Sequence, residues 1–130
     1  MSTVVPPAVE RIYNAFARKD FPAIVAAVTD DVLWVFPGVL PFSGTWRGKD
    51  DLRRYFGILA SVARFEHHEV TRRIVDGDTV VCFGSHRARC LATDKVWQSP
   101  MIHVWTVRDG LVASMNEFED TALAAAAFAP

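Results

Sequence analysis

Two histidines and a carboxylate carry the chemistry this sequence can be read for. His86, His103 and Glu117 fall in three consecutive runs, 79–91, 96–107 and 111–118, rich in β-branched and aromatic residues and read as strands. Successive side chains point to opposite faces of a strand. One face therefore collects Cys82, Gly84, His86 and Ala88 from the first run and Ser99, Met101, His103 and Trp105 from the second. The third run adds Ala113, Met115 and Glu117. That face is small and apolar with three titratable groups set into it, the composition of a ligand-binding concavity. A carboxyl among Met115, Trp34 and Trp105 would be partly desolvated, a setting in which such a group serves as acid or base near neutral pH. A histidine beside it is held in one tautomer for proton transfer. Glu117 with either His86 or His103 is the catalytic set read here. The plainer reading is a Glu at the sheet rim and two hydrogen-bonded core histidines. Tyr13, Trp34, Phe36, Phe56, Met101, Trp105 and Met115 are expected to line the same pocket and touch a ligand. No local ligand spacing supports a metal site, and the chemistry is expected to need no metal and no cofactor.

The elements that must position these groups follow from turn chemistry and periodicity. Ala92, Thr93, Asp94 and Lys95 end the first run, and Arg108, Asp109 and Gly110 join the second to the third. Asp-Gly between apolar runs is a strong hairpin signal, because Gly accepts positive φ without steric cost. The outer face of this meander offers Phe83, Arg87, Arg89, Ile102, Val104 and Phe118, apolar enough to meet another sheet. A homodimer through that face is expected. Upstream, Val9, Ile12, Tyr13 and Phe16 recur at helical spacing after Pro6 and Pro7, which suit a first turn. Asp20 ends this helix and caps a second over 21–28, with Ile24, Val25 and Val28 as its buried stripe. A short strand over 32–36 is stopped by Pro37 and Gly38. Segment 39–47 sets Phe42 and Trp46 among Pro, Gly and Ser, and is read as an ordered loop whose aromatics fold over the cavity mouth. A helix over 49–60 carries Leu52, Tyr55, Phe56 and Leu59 at i, i+3, i+4 and i+7. The strand over 64–75 is poor in apolar residues, and its His67, His68 and Arg72, Arg73 pairs each split between the two faces. Asp120 or Thr121 caps a terminal Ala-rich helix over 122–128. Helices first and strands after give an α+β fold, with N-terminal helices packed on a strongly curved antiparallel sheet.

A chain of 130 residues is read as one domain, 1–130, too short for two. The net charge of −1 and the lack of a basic stripe give no sign of a nucleic-acid partner, and none is expected. No apolar run approaches the roughly 20 residues of a membrane span, and residues 1–5 lack the regions of a signal peptide. Cys82 and Cys90 on one strand would stand roughly 26 Å apart, beyond disulfide reach. A cytoplasmic protein with reduced thiols is the expectation.

The order of elements, with "DDVLWVFP", "FSGTWRGKDDLRRYF", "VRDG" and "NEFEDTA" where they stand, resembles the SnoaL-like and ketosteroid-isomerase-like proteins. These belong to the wider nuclear-transport-factor-like superfamily. The resemblance covers nearly the whole chain and implies a cone-shaped, cystatin-like sheet that encloses a pocket. In ketosteroid isomerases a catalytic aspartate ends the first strand before a proline; Phe36 stands there, before Pro37, so that base is absent. Their second, protonated aspartate falls at His103 counting back from the Arg108 turn, or at Ile102 counting from Pro100. Their pocket tyrosine has Tyr13 one position away. Limonene-epoxide hydrolases carry a water-activating aspartate where Glu117 stands, while their other polar groups correspond to Gly84, His86, Trp34 and Phe36. The resemblance implies a pocket for a small, largely apolar molecule with a few polar groups. It also implies acid–base chemistry by Glu117 with a histidine: isomerisation, cyclisation, dehydration or epoxide opening. The alternative is a non-catalytic, dimeric small-molecule-binding protein.

Overall fold

A computed structural model describes residues 4–130, so most of the 1–5 stretch read for a leader lies outside the described residues. The chain runs α1 (Pro7–Ala17), α2 (Phe21–Ala26), β1 (Val28–Phe36), β2 (Gly44–Arg47) and α3 (Gly48–Val62). It continues with β3 (Ala63–Asp76), β4 (Thr79–Cys90), β5 (Val96–Arg108), β6 (Leu111–Glu119) and α4 (Thr121–Phe128). Pro7 opens α1, where a missing N–H leaves no bond unmade, and Ala8, Val9, Ile12 and Ala15 form its buried stripe. Asp20 caps α2 by accepting from the Ala23 N–H, and Asp120 caps α4 by accepting from the Leu123 N–H.

The strands form one curved, unclosed sheet in the order β2-β1-β6-β5-β4-β3. Every neighbouring pair is antiparallel except β1 with β6, which is parallel. Bulges bend it: the β3/β4 register shifts between Phe65 and His67 and again between Val70 and Arg72. Another shift lies between Thr106 and Val107 of β5. An extra residue on one strand of a pair bends that strand and increases its twist. At the second β3 bulge the two backbones come very close. A Cβ added to Gly84 would stand 1.9 Å from the Glu69 carbonyl oxygen, so only glycine fits. Helices α1 and α3 lie over the inner face, and the space between them and the sheet is the cavity described below.

The α+β arrangement is the one expected, and local differences have local causes. Val28 opens β1 rather than closing α2. It pairs with Val112, whose N–H bonds the Ala27 carbonyl at 2.9 Å, and a β-branched residue is better placed in such a ladder. Asp30 and Asp31 lie inside β1 and point to solvent. Segment 39–47 ends in β2, paired with β1. Phe42 is buried against Phe36, Tyr55 and Phe128, and Trp46 lies on Tyr55 with its indole N–H bonded to the Phe42 carbonyl. Neither lines the cavity. They buttress its wall instead of folding over its mouth, because an aromatic gains more from a dry core than from a wet rim. Ala113 leaves the inner face, since it is the extra residue of the bulge opposite Thr106 and Val107, and Val112 takes its place beside Met115. Cys82 and Cys90 are buried and free. No helix among the described residues is long and apolar enough to cross a membrane.

Candidate functional site

His103 on β5 and Glu117 on β6 are direct cross-strand partners. Their side chains meet in the cavity, where His103 Nε2 lies 2.9 Å from both carboxylate oxygens of Glu117. The other ring nitrogen, Nδ1, lies 2.7 Å from the Tyr13 hydroxyl on α1. Trp105 Nε1 donates to that same hydroxyl at 3.0 Å. An indole N–H can only donate. The phenol oxygen accepts from Trp105, and with the Glu117 carboxylate accepting at Nε2, Nδ1 of the neutral ring is left to accept the Tyr13 proton. That assigns the ring proton to Nε2, facing Glu117. Burial above all, then the neighbouring Cys82, pushes the Tyr13 phenol far above its ordinary range, so it remains a donor.

A second carboxylate lies in the same cavity. His86 does not partner Glu117; its Nε2 stands 3.2 Å from Glu119 Oε2, with the two side chains 2% and 3% exposed. The contact is poorly aligned for a hydrogen bond, and no other group satisfies that nitrogen. Burial pushes the Glu119 carboxyl above the usual carboxylate range, partly offset by His86. Glu119 lies one residue past the strand end expected at 118 and closes β6. Its signal was its place two residues beyond Glu117, hence on the same face.

His68 of β3 supplies a third imidazole. Its ring lies 6.4 Å from that of His86 and 5.8 Å from that of His103, nearly parallel to both. Burial first, then His103 and His86, pushes it down to about 3, which keeps it neutral. Strict alternation sends His68 to the face opposite Phe65. The bulge between Phe65 and His67 shifts the parity so that both face inward.

These groups enclose a cavity of about 50 Å³. Of the residues expected there, His86, His103, Glu117, Tyr13, Trp34, Phe36, Phe56, Trp105 and Met115 line it. Met101 does not. It is buried on the same sheet face, but its Cε lies 3.0 Å from where a Gly84 Cβ would stand, filling the notch that glycine leaves. Of the two positions, His103 faces the cavity, while Ile102 points outward beside Phe118. Tyr55 of α3, also unassigned from sequence, completes the wall, and burial raises its phenol well above the usual range. Trp34 Nε1 is buried at the wall with no hydrogen-bond partner. Among the described residues, no three His, Cys, Asp or Glu side chains converge as a metal ion would require.

Outside the cavity a groove of about 650 Å³ runs between α1, the end of α3 and β3. The two spaces share Tyr13, Phe16, Leu59, Phe65 and His68. Phe16 meets Phe65 edge-on at 5.3 Å and His68 at 4.8 Å, forming an aromatic neck. The inner cavity has room for a few waters. The groove has the size of a small-molecule site.

Comparison with known proteins agrees with this architecture. An NTF2-like protein from Burkholderia thailandensis E264 is 28% identical, with 100% of both chains covered and a TM-score of 0.88. TerC, co-crystallized with polyporic acid, is 26% identical over 93% of this chain and 95% of that one, with a TM-score of 0.82. A hypothetical protein with a ketosteroid isomerase-like fold from Catenulispora acidiphila DSM 44928, solved in complex with trimethylamine, is 15% identical. It covers 98% of this chain and 96% of its own at a TM-score of 0.79, which speaks for the fold alone. No protein of curated function is significantly similar in sequence. A sequence profile of the SnoaL-like domain matches residues 9–115, and the chain belongs to that family.

Proposed function

We propose that this protein binds a small, largely apolar molecule in the groove and cavity and transfers protons on it, with Glu117 as the base. The observation that carries this reading is the directed row of hydrogen bonds from Trp105 through Tyr13 to His103, which ends on Glu117. It fixes the imidazole tautomer and leaves the remaining lone pairs of Glu117 for a ligand. Glu119, which burial keeps towards its protonated form, is suited to return a proton to an oxygen of the same ligand. Removing a proton at one position and delivering one at another is what isomerisation and cyclisation need, and neither requires a co-reactant. That a relative at 26% identity was co-crystallized with polyporic acid supports a small organic ligand. We further propose a homodimer through the outer face of the sheet, where Phe118 is 53% exposed. The two free thiols fit a reducing, cytoplasmic compartment.

The test begins by screening enones, small epoxides and polyketide-like lactones for turnover. Glu117→Gln keeps size and most hydrogen bonding but cannot take up a proton. It should lower turnover about a hundredfold or more while affinity changes little. Undiminished turnover in the variant removes Glu117 from the chemistry. A second reading, binding without reaction, is favoured by one observation: each buried carboxylate already faces a histidine. Tight binding of several compounds with turnover of none would establish it.

A further inference from the structure

The outer groove is apolar along its floor and cationic at its rim. Phe21, Leu59, Phe65 and Val70 line it, together with Lys19, Arg64 and Arg73. Glu66 is the one carboxylate lining it among the described residues, and it is already shared by Arg64, Arg87 and Arg89 at 3.7, 3.7 and 3.2 Å. Arg73 is held by Glu10. Lys19 makes no ion pair and no side-chain hydrogen bond among the described residues.

The backbone of Lys19 is the second observation. Its φ is 57°, in the left-handed region. It follows the end of α1, where the Lys19 N–H bonds the Phe16 carbonyl at 3.0 Å and the Asp20 N–H bonds the Ala15 carbonyl at 2.8 Å. Helices closed by this pair of bonds favour glycine at that position. The other non-glycine residues with positive φ among the described residues, Asp94 and Asp109, sit in hairpin turns and carry a side chain that tolerates it. Lys19 has no such excuse. The strain sets an unpaired ammonium group at the groove rim.

We infer that the molecule bound in the groove is an organic acid, its anionic group met by Lys19 and Arg64 and its apolar body laid along the floor towards the Phe16 and Phe65 neck. This rests on the small-molecule reading of the site. The chain as a whole carries a net charge of −1, so the cationic rim is a local feature.

Two fluorescent probes separate charge from apolar fit. 1-Anilinonaphthalene-8-sulfonate and N-phenyl-1-naphthylamine share an apolar body and differ by one sulfonate. Titrated against the full chain, the anionic probe should bind more tightly, and added salt should weaken it alone. Lys19→Gly and Arg64→Gln should each weaken the anionic probe about two- to fivefold and leave the neutral probe unchanged. Lys19→Gly also relieves backbone strain, so its thermal midpoint should hold or rise, and lost binding there cannot be damage to the fold. Equal effects on both probes, or no effect on the anionic one, would overturn the organic-acid inference and leave the small-molecule reading standing. Failure of both probes to bind the native chain would overturn the two together.

Discussion

Glu117 faces His103 directly across the β5/β6 ladder, Nε2 being 2.9 Å from each carboxylate oxygen, while Tyr13 holds the opposite ring nitrogen at 2.7 Å. The imidazole is thus clamped between a sheet and a helix. Tyr13→Phe removes the clamp from α1 and leaves the Trp105 indole N–H and His103 Nδ1 without partners. Stability should fall by about 1–3 kcal/mol, read as a lower urea midpoint at unchanged slope. In nitrogen NMR the native chain should show the ring proton on Nε2, and Tyr13→Phe, which leaves Glu117 accepting there, should keep that tautomer while the Nδ1 resonance moves as it loses its donor. Trp105→Phe, which leaves the Tyr13 donor in place, should move Nδ1 less. An unchanged Nδ1 resonance in Tyr13→Phe would mean that the phenol does not donate to it.

Acid should weaken the fold through His68 and alkali through Glu119. His68 is pushed from about 6.5 down to about 3 by burial and by His103 and His86. The unfolded chain therefore binds a proton that the native chain refuses across that interval. The stability concerned is complete above about pH 6.5 and is lost as pH falls, by at most about 1.4 kcal/mol per pH unit. Glu119 runs the other way. Its carboxyl is raised above 4.5, so its contribution is complete below that value and is lost as pH rises through the shifted range. His68→Phe should flatten the acid limb of a stability profile, and Glu119→Gln should stabilise more at pH 8 than at pH 4. Parallel profiles for the native chain and both variants would place these protons elsewhere.

The outer sheet face gives a prediction of assembly. Phe118, Ile74 and Val96 are 53%, 41% and 41% exposed there, with Phe83, Ile102 and Val104 half-buried beside them. Patches of this kind mark interfaces. Sedimentation at micromolar concentration should find twice the 14.5 kDa chain mass, and Phe118→Glu should return it to one. A native chain that sediments as 14.5 kDa would end the dimer proposal.

Gly84→Ala should be among the most damaging small substitutions in the sheet. The added methyl would meet the Glu69 carbonyl oxygen at 1.9 Å, and backbone cannot step aside as a side chain can. A loss of about 2–4 kcal/mol or failure to fold is expected, against little change for Gly57→Ala on α3, where nothing lies within 4 Å. Equal midpoints for the two variants would show that β3 can move away.

Much of this was legible in residues whose signals are local. Asp20 and Asp120 announce their helices, Asp109 and Gly110 their hairpin, and Leu52, Tyr55, Phe56 and Leu59 the buried face of α3. The inward set His86, His103 and Glu117 followed from alternation alone. What alternation cannot see is a bulge, since one extra residue changes parity without changing composition. His68 was hidden by the bulge after Phe65, and Ala113 was misplaced by the one at Thr106. Met101 was assigned to the pocket because nothing in the sequence shows that Gly84 leaves a notch for it. The parallel pairing of β1 with β6 was invisible for a related reason, as it joins the two ends of the chain and has no turn to announce it.

The indole of Trp105 has a proton to give and no lone pair to offer, the carboxylate of Glu117 the reverse, and the row between them runs in one sense. Each member takes from the one before and gives to the next, and what emerges at the cavity end on Glu117 is electron density alone. A guest that brings a hydroxyl or an acidic C–H finds a receiver. A guest that brings a bare carbonyl to the same spot meets lone pair against lone pair, and the uncommitted N–H of Trp34 on the same wall is where that oxygen would turn. On the proposed reading, these two groups would orient a visiting molecule before any proton moved.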